Sequence, residues 1–286
     1  DGQGFWIDDL HINRRSSNEI GLFGVVTNGQ ITNVRMYDAS IFGSTRVGAI
    51  AGEVTGNSTL SSITIVESSV TGTITVGGIV GRSSSSGTHS YLAYSGTVSA
   101  LTDAANQKGN NAGGVIGKMQ SNTVLRKSYF NGNISGGTLV GGLVGTAAGG
   151  SKIYNSYSIG SVLAYYIGSG IGNGSFAATN CFTSSVVSST YGLYASFNGH
   201  YANIVGNSNY YNSNLTASQT FLSNVATGKT TQQLKTKETF SGWDFDNVWI
   251  ISGNINDGFP FLRGNNQMDL LDLTFIQDSS IGSLTF

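Results

Sequence analysis

The stretch Val140-Gly141-Gly142-Leu143-Val144-Gly145 decides the fold of this chain, because related six-residue phrases recur along most of the sequence. Close copies lie at 20–24, 47–52, 76–81 and 112–117, and weaker copies lie at 167–172 and 191–194. The first glycine of each copy falls at position 21, 48, 77, 113, 141, 168 or 192, so the steps are 27, 29, 36, 28, 27 and 24 residues. A near-constant period of this length indicates a solenoid, a propeller or an array.

Short apolar segments stand at fixed distances before these glycines, with a one-residue slip in the repeat that ends at position 168. Eleven residues before their marks stand Tyr37, Val66, Phe130 and Tyr157. Helical spacing of apolar residues is not sustained here, so the β-type pattern is the better interpretation. One unit cannot bury its own apolar face, whereas stacked copies join those faces into one core. The sequence therefore predicts an all-β fold, a parallel β-solenoid of about seven or more coils.

The repeat also defines the expected domain organisation. We expect solenoid repeats over 1–206, a C-terminal capping segment over 207–263, and a terminal strand or the start of a further module over 264–286. Thr230-Thr231-Gln232-Gln233 has the form of a capping box, which predicts a short helix over about 231–239 in the cap. Trp243, Phe245 and Trp249 are expected to seal the last coil, and Phe5 with Trp6 to close the other end. The glycines are expected at corners with positive φ and where backbones approach closely.

The phrase at 140–145, together with Lys-Ile-Tyr-Asn-Ser-Tyr at 152–157 and Gly-Ser-Val at 160–162, resembles the GLUG motif, a repeat of bacterial surface proteins. The segments 1–12 and 229–262 are similar to the usual beginning and end of such arrays, so the resemblance covers roughly residues 1 to 263. In that family the arrays occur in filamentous-haemagglutinin-like adhesins, in large cell-surface proteins and ahead of the catalytic domain of immunoglobulin A metalloproteases. The resemblance implies a non-catalytic module of a secreted or surface-exposed bacterial protein, which acts in adhesion or as a stalk.

The composition limits the classes of molecule that this chain is expected to bind. The chain has 14 basic and 15 acidic residues, and only 10% of its residues are charged. Nucleic acid is therefore not an expected partner, because no basic stripe can displace counterions from a phosphate backbone. No apolar run reaches the roughly 18 residues of a membrane span, so membrane insertion is not expected. A glycan or a cell-surface protein is the expected ligand. The chain begins at Asp1 without Met, and we expect it to be part of a larger polypeptide.

Two features are candidates for ligand binding. The step of 36 residues contains an insertion after Leu101, and insertions in solenoids often form loops on the binding face, although tolerated surface decoration is the alternative. Its polar residues are the candidate ligand contacts: Asp103, Asn106, Gln107, Lys108 and Asn110. The pair Tyr165-Tyr166 would alternate faces on a strand, so one ring is expected to point outward and to stack on a sugar.

Asp38 and Glu67 are weaker candidates, for a metal ion or for catalysis. Each lies ten residues before its mark, so the two carboxylates would stack on neighbouring coils and repel each other unless a cation or a proton intervenes. Calcium is thus the one possible cofactor, and a β-helix polysaccharide lyase or hydrolase is the enzymatic alternative. The following repeats place Asn131 and Ser158 at this position, which favours a solvated pair.

Other motifs exclude further functions. The chain contains no His-Glu-x-x-His zinc motif, so the protease domain of the immunoglobulin A family is not in this sequence. A phosphate loop at Gly228-Lys229-Thr230 is rejected, because Ser223 stands where the motif requires glycine. Ice binding is a third possibility, suggested by Thr71 and Thr73, but it requires a regular outward threonine ladder. Cys181 is expected to be a small buried residue.

Overall fold

A computed structural model describes residues 1–101, 110–199, 205–215 and 225–264, and shows a solenoid of about seven coils. Coil 1 contains β1 (Trp6–Asp8), β2 (His11–Asn13) and β3 (Phe23–Thr27). Coil 2 contains β4 (Gln30–Tyr37), β5 (Ser40–Phe42), β6 (Thr45–Val47) and β7 (Ala51–Gly56). Coil 3 contains β8 (Thr59–Gly72), β9 (Ile74–Gly77) and β10 (Val80–Ser85). Coil 4 contains β11 (Thr88–Ala100), β12 (Asn111–Gly113) and β13 (Ile116–Met119), and coil 5 contains β14 (Val124–Arg126), β15 (Tyr129–Gly136), β16 (Leu139–Gly141) and β17 (Val144–Ala147). Coil 6 contains β18 (Lys152–Tyr154), β19 (Tyr157–Ala164), β20 (Ile167–Ser169) and β21 (Gly172–Gly174). Coil 7 contains β22 (Ala177–Thr179), β23 (Phe182–Ser189) and β24 (Leu193–Ala195). The chain continues with β25 (Tyr210–Asn212), a 3-10 turn at Ser213–Leu215, β26 (Thr227–Lys229), helix α1 (Thr231–Leu234), a 3-10 turn at Lys237–Thr239, β27 (Trp249–Ile250), a 3-10 turn at Asn256–Gly258 and β28 (Phe261–Leu262).

The coils stack through three parallel walls. The long wall joins fourteen strands in the order β1-β4-β8-β11-β15-β19-β23-β25-β26, with β2, β5, β14, β18 and β22 paired beside that path. One short wall has the order β6-β9-β12-β16-β20-β24 and the other has the order β3-β7-β10-β13-β17-β21. The hairpin β27–β28 is antiparallel and lies outside the walls. The predicted all-β parallel solenoid is confirmed.

The register explains the slip in the sequence pattern. Gly141 pairs with Gly113 on one side and with Ser169 on the other, and Ser169 in turn pairs with Ala195. The marks at Gly168 and Gly192 therefore lie one and three residues too early. With Ser169 as the mark, the last repeats keep the spacing of the earlier ones.

The glycines of the repeated phrase have only one of the two expected roles. Gly77, Gly113 and Gly141 do not adopt positive φ. A Cβ on Gly113 would lie 2.0 Å from the carbonyl oxygen of Ile116, and one on Gly77 would lie 2.0 Å from that of Val80. These glycines are required because two backbone segments meet there at less than a side chain's width.

One of the corners is instead formed by residues other than glycine. One position, directly after the first strand segment of each coil, adopts the left-handed conformation in six consecutive coils, with φ between 46° and 55°. Its occupants are Asn33, Ser62, Tyr91, Lys127, Asn155 and Asn180. Asn and Ser tolerate this conformation because their short polar side chains can bond locally, but Tyr and Lys carry a steric cost. The expectation that glycine forms the corners is wrong for this position.

An apolar column runs through the solenoid core from coil 2 to coil 5. Along the long wall, Met36, Ile65, Tyr94 and Phe130 pair in successive coils, and all four are buried. The ring centroids of Tyr94 and Phe130 are 6.1 Å apart. Burial of each such side chain stabilises the fold by about 1.5–3 kcal/mol. Cys181 is also fully buried, as predicted, and burial raises the pKa of its thiol to about 12.

A second aromatic column lies on the outside of the same wall. Tyr129, Tyr157, Phe182 and Tyr210 pair in successive coils and face the C-terminal segment. Buried apolar side chains of the segment cover them: Leu234, Phe240, Trp243, Trp249, Phe259 and Leu262. The expectation that the tryptophans seal the last coil was therefore incomplete. Trp243 meets Tyr210 on β25, which follows the last coil, whereas Trp249 contacts Tyr157 and Phe182 on the side of the wall.

The short helix α1 begins where the sequence predicts. The hydroxyl of Thr230 accepts a hydrogen bond from the backbone N–H of Gln233, and the side chain of Gln233 accepts one from the backbone N–H of Thr230, which completes the capping box. The α-helix ends at Leu234 rather than near residue 239, and a separate 3-10 turn follows. None of the helices in the described part of the chain is long and apolar enough to span a membrane. At the first coil, Phe5 is 73% exposed and does not close the core.

Candidate functional site

A groove of about 250 Å³ lies where the long wall turns toward the short wall that contains β12. Its lining comes from four consecutive coils and includes Leu101, which directly precedes the insertion: Ser99, Ala100, Leu101, Ser135, Gly136, Leu163, Ala164, Tyr165 and Thr190. Ser99, Ser135 and Leu163 pair in successive coils, so they form a row parallel to the solenoid axis. The backbone N–H of Thr190 bonds to the carbonyl of Ala164 and extends the groove into coil 7.

Three tyrosine rings stand at one end of this groove. Tyr165 and Tyr166 contact each other edge to face with ring centroids 5.1 Å apart. Tyr191, from the next coil, stacks on Tyr166 with centroids 4.6 Å apart and an interplanar angle of 16°. Tyr191 is 55% exposed, whereas Tyr165 and Tyr166 are half-buried. The cluster therefore presents an aromatic surface beside the groove.

The predicted geometry of the tyrosine pair was wrong in one respect. Tyr165 and Tyr166 lie between β19 and β20, at the corner, and not within a strand. Their rings contact each other instead of pointing to opposite faces. The hydroxyl of Ser189 donates hydrogen bonds to the carbonyl oxygens of both residues, which fixes the corner. The sequence marks Tyr191 only as the first residue of a weak copy of the repeat, and it does not show that Tyr191 lies beside Tyr165 and Tyr166, because these come from another coil.

Asn110 closes the base of the insertion. Its side chain is 4% exposed and donates a hydrogen bond of 2.9 Å to the carbonyl oxygen of Leu101. The backbone carbonyl of Asn110 accepts hydrogen bonds from the backbone N–H groups of Thr138 and Leu139. Asn110 thus joins the two ends of the insertion rather than lying on the surface. The other candidates in the insertion, Asp103, Asn106, Gln107 and Lys108, lie outside the described residues.

The described lining of the groove is uncharged. It offers the hydroxyl groups of Ser99, Ser135 and Thr190, and the apolar surfaces of Leu101 and Leu163. The hydroxyl oxygens of Ser99 and Ser135 lie 3.0 Å apart and are hydrogen-bonded to each other. A lining of this kind suits a ligand with both hydroxyl groups and apolar faces.

The acidic pair lies on a different surface. Asp38 and Glu67 are exposed, and both adopt positive φ at the bend of the long wall. Asp9 occupies the same bend in coil 1 with the same φ of 51°, so the column has a third acidic member that the sequence reasoning missed. Within the described ranges, no group of three or more His, Cys, Asp or Glu residues is arranged to hold a metal ion.

The surroundings of the acidic pair differ from the expectation. The phenol of Tyr37 donates a hydrogen bond of 2.9 Å to Glu67, and this bond is the main reason that the pKa of Tyr37 is raised. In the next coil a β-bulge leaves one residue, Ser95, opposite Val66 and Glu67. Further along, Asn131 pairs with Ile159, while Ser158 is buried opposite Phe130. Ser158 therefore does not belong to this column.

A buried hydroxyl–imidazole pair has a structural role. The Oγ of Ser83 lies 2.8 Å from Nε2 of His89, and Nδ1 of His89 accepts a hydrogen bond from the backbone N–H of Leu60. Both side chains are 0% exposed, and burial lowers the pKa of His89 to about 4. A pair without access to solvent cannot meet a substrate, so it satisfies polar groups inside the core.

The outward hydroxyl rows do not form a regular threonine ladder in the described residues. The row that contains Thr71 begins with Asn13 and Phe42, and after Thr71 it continues with Ser99, Ser135 and Leu163. Thr73 lies beyond the end of β8, where its hydroxyl donates to the carbonyl of Ser44. The arrangement needed for the ice-binding alternative is therefore not present on this wall.

Comparisons with known proteins agree with the fold. No protein-family model matches the chain, and no curated protein matches it. Among solved structures, the chain is similar to a protein from Bacteroides ovatus described as a "putative immunoglobulin A1 protease", with a TM-score of 0.53 and 17% sequence identity, over 92% of this chain and 76% of that chain. At this identity the likeness shows a shared fold alone. It supports the β-solenoid architecture, and the resemblance to GLUG repeats stays a prediction.

Proposed function

We propose that this chain is a non-catalytic β-solenoid module of an exported bacterial surface protein, which acts in adhesion by binding a glycan or another cell-surface ligand. The observation that carries the proposal is the groove at the corner of the long wall. There Leu101, at the base of the insertion, lines one groove with the hydroxyl row and with Tyr165 of the tyrosine cluster. Binding sites on repeat proteins commonly lie on a surface that several repeats build jointly.

Binding of the purified chain to a broad glycan array, with and without calcium, tests the proposal. A matched variant replaces residues 102–109 with two glycines. This replacement is geometrically reasonable because the side chain of Asn110 already reaches the carbonyl of Leu101 at 2.9 Å. We expect selective binding by the intact chain and weaker binding by the variant. Absence of binding to any glycan or to host-cell surfaces would contradict adhesion and would favour a passive stalk.

The glycan array with and without calcium, together with a lyase assay, tests whether Asp38 and Glu67 bind a metal ion or act in catalysis. If Asp38 and Glu67 served a polysaccharide lyase, incubation with uronic-acid polymers would release unsaturated products that absorb in the ultraviolet. We expect no such release, because the column is exposed and Glu67 is engaged by Tyr37. The double variant Asp38→Asn with Glu67→Gln is the control, and loss of a measured activity in it would overturn the non-catalytic proposal.

A further inference from the structure

We infer that the groove binds a neutral, unbranched oligosaccharide that lies parallel to the solenoid axis, with one sugar ring stacked on Tyr191. This inference rests on the proposed function and specifies its ligand class. It depends on three properties of the groove, which are its direction, its charge and its aromatic end.

The direction follows from the register. Ser99, Ser135 and Leu163 occupy equivalent positions in coils 4, 5 and 6, and Thr190 extends the lining into coil 7. Adjacent strands lie about 4.8 Å apart, so four coils give the groove a length of about 14 Å along the axis. A single sugar would fill only part of this length. An extended chain laid along the axis can use a hydroxyl or an apolar contact from each coil in turn.

The uncharged lining, as far as the described residues form it, selects against acidic sugars. None of the described residues that line the groove is ionisable except Tyr165, and tyrosine is neutral at physiological pH. A carboxylate or sulfate that entered the groove would lose hydration without gaining a cationic partner among the described lining residues. Hydroxyl groups of a neutral sugar, in contrast, can exchange hydrogen bonds with Ser99, Ser135 and Thr190. Leu101 and Leu163 provide apolar contacts for the C–H faces of the sugar rings.

The aromatic end fixes the position of one ring. Tyr191 is more than half exposed, and Tyr166 stacks against it at 4.6 Å while Tyr165 contacts it edge to face at 5.0 Å. These two contacts hold the Tyr191 ring in place, so little side-chain freedom is lost when a ligand stacks on it. Thr190 precedes Tyr191 directly and lines the groove, which makes the aromatic surface continuous with it.

Isothermal titration with defined oligosaccharides tests the inference. The neutral probes are cellohexaose, xylohexaose and mannohexaose, each compared with its trimer and with the monosaccharide, and the acidic probe is hexagalacturonate. We expect at least one neutral hexamer to bind, with affinity rising from monosaccharide to hexamer, and the acidic probe to bind at least tenfold more weakly. Equal affinity for monosaccharide and hexamer would overturn the axial orientation, and preference for hexagalacturonate would overturn the neutral ligand class.

Three variants locate the site. Tyr191→Ala should weaken binding of the neutral hexamer about tenfold. Ser135→Lys should weaken it as well and should raise the affinity for hexagalacturonate, because it places a cation in the middle of the groove. Tyr154→Ala, on β18 and outside the groove, is the control and should bind like the parent chain. Normal binding by Tyr191→Ala and Ser135→Lys would refute this site while the proposed function still stood. If neither the hexamers nor the glycan array show any binding, the proposed function is wrong, and the inference that rests on it is wrong with it.

Discussion

Substitution of Gly114 by alanine tests whether close backbone contact explains the glycines of the repeat. Gly114 lies at the corner between β12 and β13, opposite the ring of Phe130 on the long wall. Its φ lies outside the left-handed region, so alanine can adopt the backbone conformation without strain. Any loss of stability must therefore come from the space that the new methyl group needs.

The structure sets the expected magnitude. The added Cβ would lie 2.2 Å from the carbonyl oxygen of Gly142 and 2.2 Å from Cγ of Phe130, more than 1 Å closer than an ordinary contact. One obstacle is backbone in the next coil and the other is a fully buried ring, so neither can move without disturbing its own packing. Overpacking of this kind costs about 3 kcal/mol or more, which corresponds to a decrease in Tm of about 6–12 °C.

Thermal and urea unfolding, followed by circular dichroism, measure the effect. The matched control is Gly253→Ala, where the new methyl group meets nothing within 4 Å and the backbone is not left-handed. It should leave Tm unchanged or raise it slightly, because alanine restricts the unfolded chain. The double variant Gly114→Ala with Phe130→Leu should recover only part of the loss, since the carbonyl of Gly142 remains. If Gly114→Ala unfolds within about 1 °C of the parent chain, the explanation by close contact is wrong.

Three further predictions follow from buried side chains. Burial lowers the pKa of His89 to about 4, so the unfolded chain binds a proton before the folded chain does as the pH falls. About 3 kcal/mol of stability should therefore disappear between pH 6.5 and 4. The free energy of unfolding, measured across this range, should depend less steeply on pH in His89→Leu than in the parent chain. Trp249→Ala should cost about 3–5 kcal/mol because the ring is fully buried against the outer tyrosines, whereas Phe5→Ala, at a 73% exposed ring, should leave the urea midpoint nearly unchanged. The thiol of Cys181, with its pKa raised to about 12, should resist iodoacetamide at pH 8 in the folded protein and react after unfolding, and rapid labelling of the native chain would contradict its burial.

The repeat predicts the solenoid because the fold depends on a pattern that recurs in the sequence. The lateral position of the cap could not be predicted in the same way. Phe130 and Tyr157 both stand eleven residues before a glycine mark in the sequence. In the structure, however, Phe130 points into the core, and Tyr157 pairs with Tyr129 on the outside. A one-residue error in a strand moves a side chain to the opposite face. The slip at Gly168 therefore hid the outer aromatic column that the cap covers.

The candidate groove was only partly visible in the sequence. The insertion after Leu101 stands out because it lengthens one repeat, and Tyr165-Tyr166 stands out as a pair. The row that joins them, Ser99, Ser135 and Leu163, has no shared residue type and becomes visible only when the strands are in register. Surface sites built across coils depend on that register more than the core does, since many apolar residues can fill a core.

The left-handed corner has a consequence for how the surface of such a protein can change over time. In six consecutive coils its occupants include amide, hydroxyl, phenol and ammonium side chains, all with nearly the same φ. The backbone N–H groups of Lys127, Asn155 and Asn180 all donate hydrogen bonds to carbonyl oxygens about one coil further along the chain, although their side chains differ. A single substitution at this corner can therefore replace a neutral group by a cation or an aromatic ring while the coil keeps its shape. A chain of this design can diversify its outer chemistry one coil at a time, independently of its core.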